Sequence, residues 1–304
     1  MNNLSTTVDK RDRRTKAQIS QLDEQILAVL RDDYPQSIRH VYYRMTNPRL
    51  AEPVPKTHAG YRQVQYRCTV LRRNGSLPYG WLVDSTRRGF HVNTFSGRAD
   101  FLRQMKGLYR ADLWLLAEHY CEVWAESRSI AGVVQADCDE LAVSLYPCGG
   151  FSSIALAYEA AEFINGAVTG KPVTIFYVGD YDPAGVLIDV ALERELRQHL
   201  RSDIPLDFRR IGITEAQVVE MDLPTNTRKA TDKRSSHVQF TVEAETMPAK
   251  AMRQLVRSHV ESLLPEHALA VAKVAENEER RGLDFLAELF DDCNDPPEED
   301  VMTI

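Results

Sequence analysis

An apolar strand that runs directly into two alternating acids constrains this chain more than any other feature. Residues 173–178 read Val-Thr-Ile-Phe-Tyr-Val, and Asp180 and Asp182 follow at once. A continuous β-branched and aromatic run is typical of a buried parallel strand, and open α/β sheets bind ligands where such strands end. Two carboxylates at that edge can offer hard oxygen ligands to one small cation, which favours Mg²⁺.

The same residues also fit the start of a helix. Asp182 precedes Pro183, and an N-cap acid followed by proline at the first helical position is a common helix signal. Short motifs of this kind also occur by chance. The Asp-x-Asp pattern alone therefore leaves a metal site and simple capping as equal alternatives.

Two strand patterns upstream favour the metal site. Residues 121–125 read as a short strand that ends at Glu126, and residues 141–146 read as another that breaks at Pro147. Helical patterns separate these strands from each other and from the Asp-x-Asp strand, which is the alternation of a parallel α/β sheet. Glu126, Asp180 and Asp182 are then predicted to converge at one edge of the sheet, which capping alone does not explain.

These acids resemble the pattern of the Toprim domain of topoisomerases, primases and related nucleases, in which a glutamate follows the first strand and Asp-x-Asp follows a later one. The string from Gly179 to Gly185 is most similar to the A subunit of topoisomerase VI and its meiotic double-strand-break relatives. The similarity covers residues 122–264, although Ser127 stands where that subfamily often carries lysine. The resemblance implies a Rossmann-like parallel sheet whose Glu126, Asp180 and Asp182 bind Mg²⁺, with Mn²⁺ as a substitute.

Charge divides the chain into a basic and an acidic part. Residues 1–110 contain 20 Lys and Arg against 9 Asp and Glu, whereas residues 111–304 contain 17 against 35. This asymmetry is the expected footprint of a DNA-contacting domain joined to an acidic metal-binding one. A solvated basic face without a partner is the alternative, because charge runs are weak signals by themselves.

The basic part has the pattern of a winged helix. Amphipathic spacing predicts a helix over residues 19–30, a second capped by Ser37 and ending near Met45, and a third over residues 58–73. Residues 77–83 and 89–92 then fit the two strands of a wing hairpin. The residues expected to contact double-stranded DNA are Arg62, Arg72, Arg73, Arg87 and Arg88.

The second helix carries the candidate nucleophile. Its segment Arg39-His40-Val41-Tyr42-Tyr43-Arg44 resembles the stretch of topoisomerase VI A and the meiotic transesterases in which the second of two paired aromatic residues attacks DNA. That match makes Tyr43 the nucleophile. Arg39 lies four residues earlier on the same helical face, where it can stabilise a phenolate or hold a phosphate, and a phenol needs such help at neutral pH. Simple core packing of Tyr43 remains the alternative.

Together these patterns predict an α/β protein with an N-terminal winged helix, mostly α with a β wing, followed by a Toprim parallel-sheet domain. The boundaries are a basic tail at 1–17, the winged helix at 18–112, the Toprim domain at 113–275 and an acidic tail at 276–304. Glu243 and Glu245 precede Met247-Pro248 and a helical pattern, so Glu245 is an additional ligand candidate and capping is the alternative.

The expected activity is DNA cleavage by tyrosine transesterification. The resemblance implies a homodimer and leaves a separate ATPase subunit open, because the Gly170-Lys171 segment lacks the spacing of a nucleotide-binding loop. Two alternatives stay open: a Toprim nuclease that cuts with activated water, and a DNA-binding component without catalysis. Five scattered cysteines and strand-sized apolar runs predict a cytoplasmic, nucleoid-associated protein with no membrane span.

Overall fold

The computed structural model describes residues 14–83, 92–149, 154–167, 170–228, 234–235 and 237–292. Three helices form its first unit: α1 (Lys16–Asp32), α2 (Ile38–Met45) and α3 (His58–Arg73). Each follows a hydroxyl N-cap whose side chain accepts a hydrogen bond from the backbone amide three residues later, a strong helix-start interaction. Their apolar stripes pack into one core that includes Leu22, Ile26, Leu30, Val41, Met45, Val64, Cys68 and Leu71.

The first unit departs from the prediction at its two ends. Thr15 caps α1, and Arg14 donates to the Pro53 carbonyl at 2.7 Å, so the predicted basic tail at 1–17 is part of the folded unit from residue 14. The predicted first wing strand contains the 3₁₀ helix Tyr79–Trp81, because Pro78 and Gly80 favour a turn over a strand. Most of the second wing strand lies in residues 84–91, outside the described residues.

A four-stranded parallel sheet forms the second unit, as predicted for an α/β fold. Its strands are β1 (Tyr120–Ala125), β2 (Ser144–Pro147), β3 (Val173–Val178) and β4 (Leu206–Gly212). They lie in the order β2, β1, β3, β4, with β1 and β3 adjacent at the centre. The edge strand β4 was not predicted as a strand.

Helices cover both faces of the sheet. On one face, α5 (Arg128–Glu140), α8 (Glu215–Glu220) and α9 (Ala249–Glu261) bury Val123, Phe176 and their neighbours. On the other face, α6 (Ile154–Ala167) and α7 (Gly185–His199) cover Trp124, Ile175 and Tyr177. Burial on both faces explains why β1 and β3 are mostly apolar and do not alternate between apolar and polar residues.

Residues 276–292 were expected in an acidic tail, and this expectation is wrong. They belong to α10 (Ala268–Asp292), which packs against α4 (Arg98–Lys106). Some acids of α10 pair with bases on and after α4, so they contribute to the packing of the two helices and do not belong to a free tail. The pairs are Lys106 with Asp284 at 2.5 Å, Arg110 with Glu276 at 2.8 Å, and Arg103 with Asp291.

A buried ion pair fastens the first unit to the second. Asp33 follows α1, accepts a hydrogen bond from the Lys250 amide at 2.8 Å, and pairs with Arg253 of α9. Arg253 also donates to the Pro35 carbonyl at 2.9 Å. Because Asp33 is almost completely buried, loss of either partner would leave an uncompensated charge. Across the described ranges, no helix is both long and apolar enough to cross a membrane.

Candidate active site at the junction of the two units

Glu126 and Asp180 meet at the carboxyl ends of two paired strands. Ala125 at the end of β1 lies opposite Val178 at the end of β3, so the residues that follow leave the sheet together. The Glu126 amide donates to the Val178 carbonyl at 2.8 Å, and the Asp180 amide donates to Glu126 Oε2 at 2.7 Å. The structure therefore brings together the two strand ends that the sequence predicts to converge.

Asp182 caps the helix that follows and also faces the other acids. Its Oδ1 accepts hydrogen bonds from the amides of Ala184 at 2.8 Å and Gly185 at 2.5 Å. Its negative charge also raises the pKa of Glu126, in addition to the larger effect of burial. The two alternatives left open for this residue are thus not exclusive, because one carboxylate oxygen caps α7 while the group stays within electrostatic reach of Glu126.

A short antiparallel bridge brings a third segment to the acids. Tyr181 and Val242 exchange two backbone hydrogen bonds, at 2.9 and 2.8 Å. Just beyond the bridge, the Ala244 amide donates to Asp180 Oδ1 at 2.8 Å. This contact places Glu243 and Glu245 beside the Asp180 loop, and Glu245 is buried there.

The clustered acids shift one another's protonation. Burial, followed by the charges of Glu126 and Glu245, raises the pKa of Asp180 to about 8. Burial likewise raises the pKa of Glu126 and of Glu245. Mutually repelling carboxylates at a strand edge are a common property of functional sites, and a bound cation would relieve the repulsion.

The donor set fits a hard divalent cation in chemistry and charge. Each of Glu126, Asp180 and Asp182 uses one oxygen to accept from a backbone amide, which fixes the carboxylate and leaves its second oxygen for a ligand. Carboxylate oxygens are the donors that Mg²⁺ and Mn²⁺ prefer. Among the described residues, no three His, Cys, Asp or Glu side chains lie close enough together to hold a metal ion.

Arg210 on β4 holds the acid loop in place. Its guanidinium donates to the carbonyls of Asp180 at 3.1 Å and Gly185 at 2.7 Å, and pairs with Asp189 at 2.6 Å. Five donors in a planar fork suit this multiple clamp, which lysine could not reproduce. Arg210 was not predicted as a site residue, although it lies in the segment that is similar to topoisomerase VI A.

Gly179 is required by the close approach of the Glu126 carboxylate. A Cβ atom at this position would lie 2.5 Å from Glu126 Oε2 and 2.6 Å from the Tyr177 hydroxyl. Any side chain here would therefore displace the carboxylate or the ring. Gly179 is therefore needed for the position of the Glu126 carboxylate, and not only for the turn after β3.

Tyr43 and Arg39 of α2 lie against this acidic segment in the same chain. The Arg39 guanidinium pairs with the Glu243 carboxylate at 2.7 Å and lies 5.8 Å from the centre of the Tyr61 ring. The Tyr43 and Tyr42 rings are 5.0 Å apart, and both side chains are largely buried. Tyr42 additionally donates to the Thr57 carbonyl at 3.3 Å, in agreement with a packing role.

The electrostatics at Tyr43 oppose the expected activation. Burial, followed by the charge and hydrogen-bond acceptance of Glu243, raises the pKa of the Tyr43 phenol, and Arg39 lowers it by less. Arg39 is thus near the phenol, as its spacing predicts, but its charge is largely committed to Glu243. The sequence did not predict this role of Glu243, because 204 positions separate it from Arg39.

A cavity of about 260 Å³ opens beside Tyr43. Its wall combines α2, the start of α3, the 226 region and the 243 segment, so it lies at the junction of the two units. The residues that line it are Arg39, Tyr42, Tyr43, Lys56, Thr57, His58, Tyr61, Asn226 and Glu243.

The predicted DNA-contacting arginines fall into three groups. Arg62 and Arg73 are exposed on α3, eleven positions apart and therefore on one helical face, with the exposed Tyr66 between them. Arg72 has a structural role in addition to its predicted one, because its guanidinium donates to the carbonyls of Tyr79 at 2.7 Å and Leu82 at 2.8 Å and so holds the 3₁₀ turn. The remaining two, Arg87 and Arg88, lie outside the described residues.

Comparisons of the chain with protein-family profiles, curated proteins and solved structures gave no match. Function therefore has to be inferred from the residues of the site and their geometry.

Proposed function

We propose that this protein cleaves DNA by tyrosine transesterification, in the manner of the topoisomerase VI A subunit. In this proposal the first unit is a winged helix, the sheet unit is a Toprim domain, and Tyr43 is the nucleophile. One observation carries it: Arg39 and Tyr43 lie against Glu243, and the next residue, Ala244, binds Asp180. Residues 243 and 244 thus link Tyr43 and Arg39 to the acids at the sheet edge.

The reaction exchanges one phosphodiester for another. The Tyr43 hydroxyl oxygen forms a bond to phosphorus while the bond from phosphorus to one deoxyribose oxygen breaks. Once Glu243 has moved aside, the phenolic proton passes to water, and the departing deoxyribose oxygen takes up a proton from water. Because the phosphotyrosyl ester keeps the phosphodiester character, the reverse reaction can reseal the strand without an external energy source.

Other side chains bind the phosphate and the metal ion. In the proposed reaction, Arg39 leaves Glu243, binds the DNA phosphate, and stabilises the negative charge that develops on the phosphate oxygens. Glu126, Asp180 and Asp182 would hold Mg²⁺ or Mn²⁺, with Glu245 as an additional candidate. When bound, the cation supplies charge neutralisation and positioning for a DNA phosphate. Arg210 and Gly179 keep the Asp180 loop and the Glu126 carboxylate in place.

DNA would bind along the first unit. The exposed face of α3 presents Arg62, Tyr66 and Arg73, which suits a recognition helix in a groove of the duplex, and the excess of positive charge over residues 1–110 supports it. A homodimer would place two tyrosines across a duplex and produce a double-strand break. A separate ATPase subunit is the partner that strand passage would require.

A nuclease is the second candidate, and the state of Tyr43 favours it. Tyr43 is 8% exposed and the pKa of its phenol is raised, which disfavours attack until Glu243 moves. In a nuclease the same acids would activate water and Tyr43 would remain a packing residue.

A denaturing adduct assay separates these functions. The full chain is incubated with a duplex and Mn²⁺, detergent is added, and protein covalently attached to DNA is measured for the wild type, Tyr43→Phe and the neighbouring control Tyr42→Phe. Transesterification predicts adducts in the wild type and in Tyr42→Phe but none in Tyr43→Phe. Cleavage without adducts that survives Tyr43→Phe would establish the nuclease, and absence of cleavage in all three would refute both.

A further inference from the structure

Two cations from different elements face the cavity beside Tyr43. Arg39 belongs to α2, whereas Lys56 lies in the loop that leads into α3. The Lys56 ammonium is 6.0 Å from the centre of the Tyr43 ring. The proposed mechanism uses Arg39 and leaves Lys56 without a role.

Lys56 is held across the junction by the sheet unit. Its Nζ donates to the Thr225 carbonyl at 2.9 Å, which uses one of its three hydrogens and directs the ammonium along the cavity wall. Asn226 follows Thr225 and lines the same cavity. The position of Lys56 therefore depends on both units, as the positions of Arg39 and Glu243 do.

Glu243 is the acidic side chain among the described residues of the cavity wall. It pairs with Arg39, and its charge also acts on Lys56 and on Tyr43. The described residues that line the cavity thus carry two positive charges and one negative charge, an excess of one positive charge. A phosphodiester carries one negative charge on two non-bridging oxygens, which suits two cations that line one cavity with Tyr43.

We propose that Lys56 is the second phosphate-binding cation of the site, and that it holds, together with Arg39, the DNA phosphate that Tyr43 attacks. The inference rests on the proposed function and adds a catalytic residue to it. Lysine suits this position because a compact ammonium can follow the phosphate as charge moves onto its oxygens during attack.

Lysine acetylation tests whether a DNA phosphate occupies the cavity, and it does not require cleavage. The full chain is treated with an acetylating reagent in metal-free buffer, with duplex or with the same concentration of phosphate as inorganic phosphate, and modified peptides are measured by mass spectrometry. Lys171 is the control, because its Nζ also donates to backbone carbonyls but lies before β3, away from the acids. At saturating duplex, acetylation of Lys56 should fall about tenfold and that of Lys171 should not change, since occupancy competes with modification.

Equal acetylation of Lys56 with and without duplex would overturn the inference, as would equal protection by inorganic phosphate, which would assign the pocket to free anions. The result is independent of the adduct assay, because it needs no covalent step. If no adduct forms in the wild type, the proposed function fails while protection of Lys56 still reports a DNA phosphate in the cavity.

Variants then test the role in the reaction. Lys56→Ala should slow adduct formation about a hundredfold, Lys56→Arg should recover most of the rate, and Lys171→Ala should match the wild type. In metal-free buffer, the dependence of duplex affinity on salt should lose about 0.9 in logarithmic slope in Lys56→Ala, the value for one phosphate contact. An unchanged rate and slope would show that Lys56 does not touch the phosphate.

Discussion

The Arg39 guanidinium and the Glu243 carboxylate, 204 positions apart in sequence, meet at 2.7 Å across the junction of the two units. Glu243 therefore occupies the guanidinium that a DNA phosphate would need. The same carboxylate, together with burial, raises the pKa of Tyr43. The single chain therefore holds Tyr43, the proposed nucleophile, in a restrained state. In the proposed reaction, a substrate phosphate would compete with Glu243 for Arg39, so that phosphate binding would free the phenol.

Replacement of Glu243 should release this restraint. In Glu243→Gln the negative charge beside Tyr43 is lost and Arg39 is unpaired, so the pKa of Tyr43 should move down towards the ordinary phenol value of about 10. The measurement is an NMR titration of ¹³C-labelled tyrosine, with Tyr43→Phe to assign the resonance.

The matched control is Glu278→Gln, which removes a surface partner of Arg281 on α10. It should leave the Tyr43 resonance unchanged. If the resonance titrates identically in the wild type and in Glu243→Gln, the restraint does not exist in solution.

Gly179→Ala should weaken metal binding while the sheet remains folded. The new methyl group would lie 2.5 Å from Glu126 Oε2, so the carboxylate must move away from Asp180. We expect Mn²⁺ affinity by calorimetry to fall at least about tenfold, as for other disrupted ligand positions. Gly166→Ala is the control, since a methyl group there meets no atom within 4 Å; equal affinity of the two variants would contradict the role of Gly179.

The convergence of Glu126 and Asp180 could be predicted because both follow apolar runs, and parallel strands end at one edge. The N-cap Ser37 and the amphipathic spacing of α2 and α3 predicted those helices closely. The partnership of Arg39 with Glu243 could not be predicted, since no local pattern records a contact made through the Tyr181–Val242 bridge. The acidic composition of residues 276–292 led to the wrong prediction of a tail. Composition alone does not show that acids of α10 pair with bases on and after α4.

Arg210→Ala should destabilise the protein far more than the neighbouring Arg209→Ala. Removal of Arg210 leaves Asp189, which is 13% exposed, without its partner and frees the carbonyls of the acid loop. We expect a loss of about 3 kcal/mol in the free energy of unfolding. Arg209 forms an exposed pair with Asp207, and its loss should cost about 0.5 kcal/mol. Urea denaturation measures both, and similar values would show that the clamp is unimportant.

Glu122 should make stability fall as the pH rises. It is fully buried on β1, accepts from the Trp124 indole and the Tyr120 hydroxyl at 2.8 Å each, and burial raises its pKa from 4.5 to about 7. The folded state therefore keeps the proton longer than the unfolded state, so unfolding becomes easier between these two values. The full effect is about 3 kcal/mol.

Glu122→Gln is uncharged at every pH and should be more stable than the wild type by up to about 3 kcal/mol above neutral pH, with little difference near pH 4.5. Urea denaturation at both ends of this range checks the sign. Exposed Glu220→Gln is the control and should follow the wild type throughout. A difference between Glu122→Gln and the wild type that does not change with pH would contradict the assignment.

The clamp of Asp33 on Arg253 and on the start of α9 has a mechanical consequence. Because it joins the helices that carry Tyr43 to the sheet that carries Glu126 and Asp180, separating Tyr43 from these carboxylates would require breaking a desolvated ion pair. If two such chains cleave DNA together as proposed, the cut ends would therefore be parted by movement at the interface between the two copies, while the two units of each chain move together.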